Sequence, residues 1–200
     1  MFGSGILKGL SVTLKRFLET YLDDIAWWGR RYFKAEGIAH RASKDARGIF
    51  TVQYPEEKLL IPEEFRFIPF LVYEEKEEGK KEIRCTSCGI CAKVCPPQWI
   101  WIVRTNDPHT GRAVPEPAEF YIDADICMNC GFCAEYCPFD AIIMDHDFEI
   151  ASTQRNVYNM EQLLKPASYY KAIRPLTYQR NEDERAAKEA ARTARAEASA

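Results

Sequence analysis

All eight cysteines of this 200-residue chain fall in two short runs that have the same spacing. The first run lies between Cys85 and Pro96 and the second between Cys127 and Pro138, and each follows the pattern C-x2-C-x2-C-x3-C-P. Because the second run repeats the first 42 residues later, the two indicate an internal duplication with an insertion between the halves. These eight thiols constrain the fold more than any other feature, since whatever they bind organises the chain around it.

The spacing of the two runs indicates iron-sulfur clusters. In bacterial two-cluster ferredoxins, this is the ligand pattern of 4Fe-4S clusters. Structural zinc usually takes two pairs of cysteines or mixes cysteine with histidine, and all three histidines of this chain lie outside the runs. A disulfide framework is disfavoured because we expect a cytosolic chain without a secretory signal, and cytosolic thiols are kept reduced. We therefore predict two 4Fe-4S clusters.

The same spacing predicts which cysteines share a cluster. Three thiolates separated by two residues each let one loop wrap three corners of a cube, whereas the fourth cysteine lies too far along the chain and serves the other cluster. The predicted ligands are Cys85, Cys88, Cys91 and Cys137 for the first cluster and Cys127, Cys130, Cys133 and Cys95 for the second. Each cluster would tie both halves together, so that metal binding and folding become one event.

Electron transfer is the chemistry that such clusters favour. When four cysteines hold a cluster, none of its irons keeps an open site for a substrate. The sequence shows no nucleophile–base pair, phosphate-binding loop or nucleotide motif, so we predict no catalytic residue. The residues expected to limit water near the clusters are Ile100, Ile102, Ile142 and Ile143.

The charge around the cysteine runs predicts low, negative reduction potentials. Between residues 85 and 145 there are three basic and eight acidic residues, and negative surroundings resist an added electron. The basic residues are Lys93, Arg104 and Arg112, and the acidic ones are Asp107, Glu116, Glu119, Asp123, Asp125, Glu135, Asp140 and Asp145. The whole chain has a formal net charge of -3, and we expect no nucleic-acid partner.

Outside the runs, the longest pattern is helical. Residues 4 to 35 carry apolar side chains at three-and-four spacing, with basic residues near both ends and two adjacent tryptophans, Trp27 and Trp28. This combination favours an amphipathic helix on a membrane surface or a partner; the alternative is a helix packed on the protein's own core. No apolar run approaches the ~20 residues needed to cross a bilayer.

The predicted fold is α+β, a bacterial-type ferredoxin-like module with two 4Fe-4S clusters, a long N-terminal amphipathic helix and extended flanking arms. Two strands are predicted within the module, over 99–104 and 119–123. The predicted segments are an N-terminal docking helix (1–50), an extended wrapping arm (51–82), the dicluster 4Fe-4S module (83–146) and a C-terminal extension (147–200), whose end from Asn181 is either a weak helix or disordered.

Segments on both sides of the cysteine runs resemble one known family. The arm, with Tyr54-Pro55-Glu56-Glu57-Lys58, Pro62 and Arg66, is similar to that of the two-cluster ferredoxin-like subunit (chain I) of respiratory complex I, the NADH-quinone oxidoreductase. The tail is similar at Asp147-Phe148-Glu149, Tyr158 and Glu161-Gln162-Leu163-Leu164. An amphipathic N-terminal helix is also a family feature, and the resemblance extends over roughly residues 6 to 170.

The resemblance implies a place in the peripheral arm of a membrane-bound, proton-translocating complex. The chain would be a non-catalytic subunit that passes single electrons toward quinone. Its partners would be other peripheral-arm subunits and the membrane-arm subunit at the quinone site, with the N-terminal helix against the membrane surface. The implied location is peripheral, on the cytoplasmic face of the bacterial inner membrane.

Other functions stay open at this point. A subunit of a related membrane-bound hydrogenase uses the same module, and a freestanding dicluster ferredoxin needs neither the long helix nor the arm. A scaffold with purely structural clusters is a further alternative, although two adjacent clusters are more than a scaffold needs. Within the complex I interpretation, the electron donor is either NADH or ferredoxin.

Overall fold

The computed structural model describes residues 3–43, 46–48, 50–76, 81–107, 110–111 and 113–198. The chain divides into two compact units, 1–61 and 62–200. Helices and strands both contribute to it, which confirms the predicted α+β class. No helix in the described part of the chain is both long and apolar enough to cross a bilayer.

Where the structure describes it, the first unit contains three helices, α1 (Ser4–Trp27), α2 (Arg30–Phe33) and α3 (Ala35–Ala42). The prediction of one helix over residues 4 to 35 is wrong at its C-terminal end. Trp28 and Gly29 adopt positive φ values of 37° and 76°, and a right-handed helix cannot continue through left-handed residues. Helix α1 buries none of its residues, so its apolar stripe is exposed along its whole length.

Two buried arginines organise the rest of this unit. Arg41, which is 2% exposed, donates hydrogen bonds to both carboxylate oxygens of Glu57 and to the backbone carbonyls of Arg31 and Thr51. Arg31 forms an ion pair of 2.5 Å with Asp24. A buried guanidinium is costly unless it is paired in this way. The chain segment around Glu57 is thereby held against α3.

The second unit contains two small sheets. Their strands are β1 (Pro69–Glu75), β2 (Lys81–Ile83), β3 (Ile100–Asn106), β4 (Ala113–Asp123), β5 (Ile142–Met144), β6 (Val157–Tyr158) and β7 (Leu164–Pro166). In one sheet, β1 pairs antiparallel with β2 and β5 and parallel with β7. In the other, β4 lies between β3 and β6, and all pairs are antiparallel. The two strands predicted within the module are β3 and the second half of β4, so that prediction is confirmed.

In the described residues, the second unit also contains a 3-10 helix (Ala124–Ile126) and five α-helices: α4 (Ile90–Val94), α5 (Phe132–Glu135), α6 (Met160–Leu163), α7 (Ala167–Ile173) and α8 (Pro175–Ala198). Helix α6 begins with a capping box between Asn159 and Gln162. Helix α8 begins at a proline, which suits the first helical position, and continues through a segment rich in alanine. For the segment from Asn181, helix and disorder were both open; residues 181–198 lie within α8, and residues 199 and 200 lie outside the described residues.

Strand β1 separates two cores because successive side chains of a strand point to opposite faces. On one face, Leu71 belongs to a core with Trp99, Phe120 and three of the cysteines. On the other, Phe70 and Val72 pack with Tyr170 of α7, which α8 covers in turn. The cysteines are thus shielded by β1 and its helical layer on one side.

The isoleucines expected to shield the cysteines divide between these cores. Ile100 and Ile142 lie in the cysteine-containing core, and Ile102 packs against it. Ile143 lies in the opposite core with Tyr170, so the prediction is wrong for this residue. The reason is the alternation of strand β5, in which neighbours such as Ile142 and Ile143 cannot face the same side.

Candidate iron-sulfur centre

The two cysteine runs fold into the same loop twice. Ser87 and Asn129 have φ values of 54° and 51°, and Gly89 and Gly131 have φ values of 77° and 82°. Glycine takes this left-handed conformation without a steric penalty. A short helix then follows in each run, α4 or α5, with the third cysteine at its second residue. The duplication seen in the sequence therefore extends to the backbone.

The first group of thiols contains cysteines from both runs. Cys85, Cys88 and Cys91 line a cavity together with Cys137, the last cysteine of the second run. The other walls of this cavity are largely apolar and include Leu71, Ile102, Phe120 and Ile142. Four thiols in an apolar enclosure form a suitable donor set for one 4Fe-4S cluster, which takes one cysteine at each iron.

Cysteines of both runs also lie together around Cys127. Burial raises the pKa of Cys127, and negative charge on Cys130 and on Cys95 raises it further. Cys95 and Cys133 are both buried in the cysteine-containing core. The last cysteine of the first run therefore lies near the first two cysteines of the second run.

The buried thiols need a positive partner to ionise. Burial, reinforced by negative charge on Cys85 and Cys137, raises the pKa of Cys91 to about 12. The pKa of Cys133 is also raised, first by burial and then by charge on Cys127 and Cys91. Bound iron would supply the required positive charge, because a thiol that coordinates a metal ion is deprotonated.

Backbone amides donate to two of the sulfur atoms. The amide of Asn129 lies 3.3 Å from Cys127 Sγ, and the amide of Ala141 lies 3.4 Å from Cys137 Sγ. Among the described residues, no three histidine, cysteine or acidic side chains converge closely enough to hold a single metal ion. A cluster makes no such demand, because its four irons each take one thiolate.

Two arginines that the sequence did not single out as site residues contact these loops. Arg104 donates to the carbonyls of Ser87 and Cys88 at 3.0 and 3.3 Å, and Arg66 donates to the carbonyl of Cys130. Arg66 was noted only as part of the arm. No local pattern could have placed it here, because the contact spans 64 residues of sequence.

Known proteins carry the same module. A family model described as a 4Fe-4S dicluster domain matches residues 84–141, which confirms the prediction of two 4Fe-4S clusters. The NADH-quinone oxidoreductase subunit I 2 of Cereibacter sphaeroides is 39% identical to this chain over 135 residues, which are 64% of this chain and 78% of that protein. The chain belongs to the NADH-quinone oxidoreductase subunit I family. The predicted resemblance to this family is thereby confirmed.

Further relatives carry closely related names. The NADH-quinone oxidoreductase subunit I 2 of Symbiobacterium thermophilum is 39% identical over 132 residues, or 64% of this chain. The NADH-quinone oxidoreductase subunit 9 of Rhodothermus marinus is 35% identical over 150 residues, or 72% of this chain. These matches cover 53% and 62% of the two proteins, so the chain spans somewhat more than half the length of these family members.

Proposed function

We propose that this chain is the electron-relay subunit of an NADH-quinone oxidoreductase. It is a non-catalytic subunit that passes single electrons through two 4Fe-4S clusters toward quinone, in a complex that couples this transfer to proton translocation. The observation that carries the proposal is that cysteines of both runs meet in one apolar core. The names of its family members support the kind of assembly.

The proposed ligand sets are crossed between the runs. Cys85, Cys88, Cys91 and Cys137 hold the first cluster, and Cys127, Cys130, Cys133 and Cys95 hold the second. The cavity that Cys137 shares with three cysteines of the first run supports this assignment. So does the electrostatic influence of Cys95 on Cys127. Two clusters held by crossed ligands lie close together, as a relay requires.

The chain's own residues position the clusters and exclude water. When bound, the clusters supply reversible one-electron transfer. Leu71, Phe120 and Ile142 are each at most 2% exposed and face the cysteines, which lowers solvent access at the centre. Water access and hydrogen bonds to sulfur are two of the means by which a protein sets a cluster potential.

Helix α1 is the proposed attachment element. Its apolar residues are exposed, with Leu7 at 70% and Leu22 at 61%, and it carries lysines such as Lys8 and Lys15. An amphipathic helix of this kind binds a membrane surface or the apolar face of a partner. We place it against the membrane surface on the cytoplasmic face of the inner membrane, with the membrane-arm subunit at the quinone site as a partner of the chain. The other peripheral-arm subunits are the remaining partners.

We propose one role for each segment of the chain. Residues 1–50 bind the membrane surface or a partner, residues 51–82 form the wrapping arm, residues 83–146 hold the clusters, and residues 147–200 form the C-terminal extension. Within the extension, α7 and α8 cover the face of β1 opposite the cysteines. The exposed α1 counts against a freestanding ferredoxin, because a diffusible carrier gains nothing from a long apolar stripe in water.

Purification of the native assembly with a tagged copy of the full chain tests the proposal. We expect partner subunits that give NADH oxidation coupled to quinone reduction. Iron analysis of this chain after separation from its partners should give about eight irons per chain. Recovery of hydrogenase subunits would point to the related membrane-bound hydrogenase, and ferredoxin-dependent quinone reduction would identify a different donor. Recovery of the chain as a soluble carrier without partners would contradict the proposal.

A further inference from the structure

Two arginines bind equivalent points of the duplicated loops. Arg104, on β3, donates to the carbonyl of Cys88, and Arg66, which precedes β1, donates to the carbonyl of Cys130. Cys88 and Cys130 are each the second cysteine of their run. The two arginines come from unrelated parts of the chain and are not themselves related by the duplication. In both loops, nevertheless, a guanidinium donates to the carbonyl of the second cysteine.

A local feature of the backbone permits each contact. The β3–β4 ladder shifts register on both sides of Arg104, and irregularities of this kind redirect a side chain out of the regular pleat. On the second loop, Gly131 leaves the space that Arg66 occupies, because a Cβ there would lie 2.6 Å from Arg66 Nη1. Each contact therefore depends on a specific feature of the backbone, the irregular ladder at Arg104 or the missing side chain at Gly131.

The charges of the two arginines are compensated to different extents. Arg66 forms an ion pair of 2.5 Å with Glu135, which lies in α5 directly after the second loop. Within the described part of the chain, Arg104 forms no ion pair with a carboxylate. The first loop thus faces an uncompensated positive charge, whereas the second faces a nearly neutral pair.

We propose that Arg104 and Arg66 set the reduction potentials of the two clusters, each acting on the cluster held by its own loop. This rests on the proposed function, since it needs both clusters in place. Reduction adds one electron to a cluster and so increases its negative charge. A guanidinium at the loop stabilises the reduced form by charge, and it neutralises a carbonyl dipole whose negative end would otherwise oppose the electron.

The test is an EPR-monitored redox titration of the cluster-loaded full chain and its variants. Arg104→Gln should lower the potential of the cluster at Cys85, Cys88 and Cys91 and leave the other unchanged, and Arg66→Gln should do the reverse. At a fixed ambient potential, the reduced-to-oxidised ratio of the affected cluster should fall at least about threefold, which is ~28 mV for a one-electron couple.

The direction in which the reduction potential shifts distinguishes this electrostatic role from a structural one. Glu135→Gln removes the carboxylate that compensates Arg66, so it should raise the potential of the same cluster that Arg66→Gln lowers. Arg104→Lys and Arg66→Lys keep the charge and should stay close to the wild type. Lys93→Gln is the matched control, because it removes the same charge from an exposed side chain in α4 and should shift either potential less.

The proposal is overturned if both arginine variants leave the potentials unchanged, if each shifts both clusters equally, or if Glu135→Gln fails to raise the potential that Arg66→Gln lowers. Glu135 is half exposed, and among the described residues its ion pair is with Arg66, so its variant tests the idea even where an arginine variant fails to take up iron. The iron content of the wild type and its two one-electron redox steps are measured independently of the variants. If the wild type lacked either of them, the proposed function would be overturned instead.

Discussion

Cys95 and Cys137 are the residues on which the crossed arrangement depends. If Cys95 serves the cluster of the second run, Cys95→Ala should abolish the EPR signal of that cluster and preserve the signal of the other. Cys137→Ala should produce the opposite pattern. The surviving signal can be assigned by whether it responds to Arg104→Gln or to Arg66→Gln. Loss of the cluster nearest in sequence to the replaced cysteine would contradict the crossed ligands.

Gly131 and Gly89 provide a matched pair of substitutions. Both have a left-handed φ, so alanine at either position should cost about 1–2 kcal/mol of unfolding free energy. Gly131→Ala should have a second effect, because its Cβ would displace Arg66, whereas at Gly89 the corresponding neighbour, Arg104 Nη2, lies 3.9 Å away. Urea unfolding measures the shared cost. In a redox titration, Gly131→Ala should lower the potential of the cluster at Cys127, Cys130 and Cys133 relative to the wild type. Gly89→Ala should leave the potential of the cluster at Cys85, Cys88 and Cys91 unchanged. Equal shifts in the two variants would contradict this.

At this scale the sequence predicted what is local. The left-handed glycine of each loop follows from a pattern within a few residues, whereas the ligand sets, which join cysteines of both runs, stay a prediction. The contact of Arg66 with Cys130 does not follow from such a pattern, because it depends on how the arm returns to the second loop. The charge count over residues 85 to 145 included Arg104 but omitted Arg66 for the same reason. The predicted low potentials therefore stay a prediction to which Arg66 adds one positive charge.

At the scale of elements, the helical layer behind β1 rests on Tyr170. This side chain is fully buried, stacks edge-on against Tyr178 at 5.1 Å, and accepts a hydrogen bond of 3.0 Å from Asn181. Tyr170→Ala should destabilise the cluster-loaded chain by about 3–5 kcal/mol in urea unfolding. The control is Leu176→Ala on α8, where the side chain is 75% exposed and the change should stay within about 0.5 kcal/mol. Similar losses in both variants would show that α7 and α8 do not pack as described.

The part of the arm that lies in the first unit, residues 51–61, depends on the ion pair between Glu57 and Arg41. Glu57→Gln removes the charge that compensates a buried guanidinium, so the segment 51–61 should open and become sensitive to limited proteolysis. Glu56→Gln is the matched control, because Glu56 is the exposed neighbour. Equal resistance of the two variants would contradict the role of this pair.

The same pair makes the arm sensitive to acid. Hydrogen bonds from Arg41 hold the pKa of Glu57 below its usual value of 4.5. A lowered pKa in the folded state means that the carboxylate stabilises the arm above the ordinary value and that this contribution is lost as the pH falls below it. Hydrogen exchange, corrected for intrinsic rates, should show the arm amides protected from pH 7 to about 5 and losing protection at lower pH. Loss of protection well above pH 5 would contradict this.

The elements themselves were only partly predictable. The apolar periodicity of α1 identified the helix, but periodicity continues past Trp28 and carries no information about its left-handed backbone. The pair Ile142-Ile143 indicated apolar cover for the clusters, but it did not indicate a strand with both faces buried. That required α7 and α8, which lie in the part of the chain with the weakest sequence pattern.

For the whole molecule, the cysteine runs determined more than any other feature. They predicted the module, its cofactors and its electron-transfer chemistry, and family membership agrees with all three. The sequence did not predict that the chain divides after Ile61, within the segment assigned to the arm. That division depends on tertiary pairs such as Arg41 with Glu57, which joins α3 to a segment outside the helices and strands.

The central claim is that one chain holds two 4Fe-4S clusters that each transfer one electron. It is tested most directly by iron and sulfide analysis combined with an EPR redox titration of the purified full chain. The account predicts about eight irons per chain and two one-electron steps, both at negative potentials. About four irons, a single redox step, or potentials above roughly 0 mV for both clusters would contradict it.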